Sequence, residues 1–128
     1  MTWNDFTRDE KRAIIKSAIL IANADGRINY SENQFISFLV LKMNGDEQLI
    51  ADAMDMWKLN MIRVLRGMNN TKKEIVRDIW LKTKNRSGGG TFYGNTSVDK
   101  DTEEGRIIYK LGLECNIDVS GTYMVDEY

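Results

Sequence analysis

Asp25, Gly26, Asn29 and Glu32 lie within "IANADGRINYSENQF", residues 21–35, and bring two carboxylates and an amide to one glycine turn. Oxygen side chains gathered at a tight turn are the donor set that a hard divalent cation such as calcium takes. Set against the calcium-loop pattern D-x-[DN]-x-[DN]-G-x5-E, residues Asn23, Asp25, Gly26, Ile28, Asn29 and Glu32 fall on positions 3, 5, 6, 8, 9 and 12. Ile21 stands where the first carboxylate belongs, so the EF-hand proper is excluded. Two roles stay open for Asp25, Asn29 and Glu32. They are ligands of a divalent cation, or they are caps that satisfy N–H groups at a helix start and complement its dipole.

Other chemistry has little to work with. The chain has no histidine and one cysteine, Cys115, which removes the commonest general base, the commonest zinc ligand and any internal disulfide. Cys115 sits among apolar residues in "YKLGLECNID" and reads as a small buried hydrophobe. The run Gly88–Gly90 lacks the preceding strand, glycine spacing and Lys-Ser/Thr of a phosphate loop, so it reads as a flexible loop or hinge. A hydrolase built on acidic residues is a distant alternative without an assignable nucleophile or base.

A second constellation is basic. Residues 58–86 hold nine Lys and Arg against two acids, although the net charge of the whole chain is −1. Lys73, Arg77 and Lys84 share one face of a predicted helix, and Arg63 and Arg66 precede them. This face is either solvated or meets a protein partner with an acidic surface. Nucleic acid is disfavoured, because no aromatic interleaving or nucleic-acid motif accompanies the cations.

The elements that must position these residues are helices. There is no proline in 128 residues, and apolar residues recur at spacings of three and four. Capping boxes are predicted at Thr7/Glu10, Asn29/Glu32, Thr71/Glu74 and Asp101/Glu104. Helix 1 is expected over 7–24, with Ile14, Ala18 and Ile21 on one inward line and Ile15, Ile19 and Ala22 on another. Helix 2 spans 30–43, buries Phe35, Ile36, Leu39 and Val40, and stops at a left-handed cap in Asn44-Gly45. Helix 3 starts near Asp46 with Leu49, Ile50, Ala53, Met54 and Trp57 inward. A short fourth helix ends near Gly67. Helix 5 spans 72–85 and buries Ile75, Ile79 and Trp80. Helix 6 spans 102–115 and buries Ile107, Ile108 and Leu111. The expected architecture is one all-α domain over 1–128, with a Gly-rich loop at 86–98 inserted before the last helix and a tail at 118–128. Met43, Met54, Met56, Met61 and Met68 either fill the core or form an adaptable binding surface. No apolar run approaches the roughly 20 residues of a membrane span. A cytoplasmic location is the default expectation.

The turn resembles the tellurite-resistance TerB-like family, whose hallmark is Ala-x-Ala-Asp-Gly-x-apolar followed four residues later by Glu. Ala22, Ala24, Asp25, Gly26, Ile28 and Glu32 match it position by position, and the likeness extends across most of the chain as two similar halves. Glu104 falls in the second half where Glu32 falls in the first, while Ser97 and Val98 replace the Asp-Gly pair. The resemblance implies a compact helical domain linked to tellurite, other chemical or phage-related stress responses. It also implies divalent-cation binding near the turns, at Asp25, Asn29 and Glu32 with Glu104 as an outlying member. The expected function is a non-enzymatic binding or adaptor module, with Ile28 tucked inward below the turn. The alternative is a metal-independent interaction component, such as an immunity or phage-encoded binding protein.

Overall fold

The computed structural model describes residues 1–24, 26, 28–84 and 103–119. Six α-helices and one short 3-10 turn, Trp3–Asp5, form among them, with no strand: α1 Arg8–Ala22, α2 Tyr30–Lys42, α3 Glu47–Asp55, α4 Lys58–Arg66, α5 Asn70–Lys84 and α6 Glu103–Cys115. The Gly-rich stretch 86–98, Asp101 of the fourth expected box and residues 120–128 of the tail lie outside the described residues.

The central element is α1. Ala13, Ile14, Ile15, Ser17, Ala18, Ile21 and Ala22 are buried, an apolar arc wide enough for α2, α3, α4, α5 and α6 all to pack on this one helix. The core then fills with Ile36, Leu39 and Val40 of α2, Leu49 and Ala53 of α3, Met61 and Leu65 of α4, Trp80 of α5 and Ile108 and Leu111 of α6. Met43, Met56, Met61 and Met68 are buried in it, so four of the five clustered methionines fill gaps between helices. Ser17 breaks the apolar line for a reason: its Oγ accepts the Trp80 indole N–H at 2.8 Å and donates to the Ile14 carbonyl at 2.7 Å. The most polar point of the largest buried side chain is thereby satisfied.

Helix ends follow local chemistry. Thr7 and Glu10 close a full capping box, as do Asn29 and Glu32. The Thr71/Glu74 box does not form. Asn69 caps α5 instead, accepting the Lys72 N–H on Oδ1 at 2.9 Å and the Lys73 N–H on its carbonyl at 3.0 Å. An asparagine ahead of a threonine captured the helix start, because Asn competes better than Thr at an N-cap. At the C-terminal ends of α2 and α6, Asn44 and Asn116 adopt the left-handed conformation, with φ of 58° and 56°. Gly45 N–H then returns to Val40 O, and Ile117 N–H to Gly112 O, each at 2.9 Å.

Three further expectations are corrected. Met54 is 60% and Trp57 76% exposed: Met54 stands about 100° round α3 from the buried Ala53, and Trp57 follows α3, which ends at Asp55. Ile28 is 38% exposed, since the turn places it beyond the end of α1 rather than beneath it. Lys84 is buried at the end of α5 and does not extend an exposed basic face.

Candidate functional site

The acidic turn is a helix junction. Ala22 closes α1, Gly26 takes φ of 98°, a value that L side chains rarely adopt, and its N–H returns to the Asn23 carbonyl at 3.0 Å. At the start of α2, Asn29 Oδ1 accepts the Glu32 N–H at 2.7 Å and Glu32 Oε1 accepts the Asn29 N–H at 2.9 Å. Glu32 is 1% exposed. These bonds account for Asn29 and Glu32 as reciprocal caps on the dipole of α2. Asp25 lies outside the described residues. Glu104 is half-buried in the first turn of α6, and no three carboxylate or thiol side chains converge among the described residues.

The basic residues divide among different places. Lys73 and Arg77 line a cleft of about 380 Å³ between α5 and the end of α6, where Glu74 and Asp118 stand on the same walls. Arg63 opens into another cleft, of about 350 Å³, with Arg12, Asp9, Asp55 and Trp57. Arg66 is exposed and Lys84 is buried. Acidic residues of other segments meet two of these cations: Lys72 meets Glu10 at 2.8 Å and Lys58 meets Glu114 at 3.8 Å. The basic segment is thus tied at two points to acids before and after it.

Cys115 is fully buried on α6, and burial, with Glu114 adding to it, pushes its thiol up to about 11. It is a protonated packing residue at neutral pH.

The feature that sequence reading missed is the outer face of α2. Tyr30 is 76%, Phe38 54% and Leu41 70% exposed. Together with Gln34 they occupy positions i, i+4, i+8 and i+11, which fall within an arc of about 80° on a helix. Of the exposed residues on α2, Lys42 at the last position is the charged one; the others are Tyr30, Ser31, Asn33, Gln34, Ser37, Phe38 and Leu41. The Gln34 amide donates to the Tyr30 hydroxyl at 2.8 Å, and Lys42 Nζ sits 5.0 Å from the Phe38 ring centre. A groove of about 510 Å³ runs along this face. The available signal was that the sequence 35–41, "FISFLVL", is apolar on both sides of a helix, more than one buried face can absorb.

Comparison with protein-family models, with curated proteins and with solved structures finds no match.

Proposed function

We propose that this chain is a non-enzymatic binding module that recognises another protein surface through the outer face of α2. The carrying observation is the exposure of Tyr30, Phe38 and Leu41 on one charge-poor helix face in a chain that is 29% charged. Interface centres are depleted of charge and enriched in aromatic residues, whereas solvated helix faces carry charge. The buried, protonated Cys115 and the absence of histidine from the sequence support a binding role over a catalytic one.

The TerB-like resemblance belongs to this reading as a proposal. It is supported by the capped Asn29/Glu32 turn after Gly26 and by a local likeness between α2 and α6. Phe35, Ile36, Leu39 and Met43 have the same sequence of half-buried and buried positions as Ile107, Ile108, Leu111 and Cys115, and both helices end on a left-handed asparagine. An adaptor role in a stress response is what that resemblance would add. The module works by contact, with the turn holding α2 in place, so a divalent cation at Asp25, Asn29 and Glu32 is not required for it.

The reading is tested by comparative capture from the native cell with three baits. Leu41→Glu should lose the partner that the unaltered chain retains, while Lys73→Glu with Arg77→Glu should keep it. Loss with the basic-face variant and retention with Leu41→Glu would move the interface to the α5–α6 cleft.

A further inference from the structure

The outer face of α2 fits a second copy of this chain better than it fits a charged partner. We infer that the protein self-associates by packing α2 antiparallel against α2 of another copy, an inference that rests on the contact role proposed above. The register is self-complementary. Residue numbers that sum to 71 or 72 face one another across a two-fold axis near Phe35 and Ile36, so Tyr30 meets Leu41 of the second copy and Gln34 meets its Phe38. Tyr30 and Leu41, at the two ends of the stripe, meet one another, Phe38 packs on Gln34 of the second copy, and the two helix dipoles oppose.

Electrostatics is compatible with the same occupant. Tyr30, Ser31, Gln34, Ser37, Phe38 and Leu41 carry no charge, and Lys42, whose Nζ lies 5.0 Å from the Phe38 ring centre, falls beside Tyr30 of the second copy and not against its own counterpart. An acidic peptide would meet Lys42 and Lys82 at one end of the stripe, with Asp78 of the same cleft set against it. The area is small but sufficient for a weak dimer. With aromatic side chains of about 150 to 250 Å², Tyr30, Phe38 and Leu41 offer roughly 350 Å². The exposed Ser31, Asn33, Gln34 and Ser37 beside them bring each face towards the roughly 800 Å² of a standard contact.

Sedimentation velocity on the purified chain, over roughly two decades of concentration around micromolar, reads the result. The mass should rise from 14.8 kDa towards twice that value. Leu41→Glu alone and Tyr30→Lys alone should each remain at the single-chain mass with unchanged far-UV circular dichroism. An equimolar mixture of the two should recover the doubled mass, because antiparallel register sets Lys at 30 opposite Glu at 41. A single-chain mass throughout for the unaltered protein, or doubling that survives Leu41→Glu, overturns self-association. A single-chain mass combined with partner capture that still depends on Leu41 leaves the contact role standing and removes the second copy as its occupant. Loss of both removes both.

Discussion

Ser17, Glu10 and Asn29 each show a polar side chain whose partner decides its worth. Ser17→Ala leaves the Trp80 N–H without its acceptor inside the core, an unmet donor that costs about 1 to 3 kcal/mol. Urea unfolding should show that loss, while Ser17→Thr or Ser17→Cys would add bulk at a fully buried position. Glu10 is held below its ordinary range: burial acts to raise its pKa, but the Lys72 hydrogen bond and charge, with the Thr7 contacts, outweigh it. A folded-state pKa below the unfolded one gives stability that is complete above pH 4.5 and lost as pH falls through the folded value. Lys72→Met should therefore cost about 1 kcal/mol at pH 7 and progressively less towards pH 3, as followed by urea titrations at each pH. For Asn29→Ala the expected loss is about 1 kcal/mol, the cost of an N-cap, and equal in millimolar calcium and in EDTA. A larger loss in calcium, abolished by Asp25→Ala, would establish a cation at the turn. Of these residues the Asn29/Glu32 and Thr7/Glu10 pairs were legible in the sequence, because a cap is a local motif. The Ser17–Trp80 bond joins positions 63 apart and has no local signature.

At the scale of helices, spacing located all six, and their ends moved where two caps competed or where a helix ran out early. Asn69 displaced Thr71 at the start of α5, and the end of α3 at Asp55 left Trp57 outside the helix and exposed. Periodicity assigns an apolar residue to a face but does not say whether a neighbour covers that face. This is why Phe38 and Leu41 were legible as helical and not as exposed. Gly112, within α6, shows the converse case, where close approach fixes one residue type. A Cβ on Gly112 would lie 2.9 Å from the Ile117 carbonyl and 3.1 Å from a Val119 methyl. That carbonyl belongs to the chain closing the α6 cap, so it has little freedom to yield. Gly112→Ala should destabilise the protein by about 1 to 3 kcal/mol, seen as a lower urea midpoint with an unchanged slope. Gly67→Ala is the control, with its nearest contact at 3.5 Å and an expected shift near zero.

For the molecule as a whole, one buried helix organises the rest and leaves α2 with one face on α1 and another facing outward. The basic middle of the sequence meets its acidic flanks through the half-buried Lys72–Glu10 pair and the surface pair Lys58–Glu114, while Arg63, Arg66, Lys73 and Arg77 are spread over separate places. Exposed large apolar side chains gather in two places among the described residues, at Met54, Trp57 and Leu59 around the α3–α4 junction and along the stripe of Tyr30, Phe38 and Leu41. The stripe is the one that lies on a single helix face. The measurement that bears most directly on this account is photo-cross-linking in the native cell, with a photoreactive phenylalanine placed in turn at Phe38, Leu41, Glu47 and Lys110, all exposed positions. The account predicts discrete adducts from positions 38 and 41, including one of twice the chain mass, and none from 47 or 110. Equal labelling at all four positions, or adducts confined to 47 and 110, would contradict it.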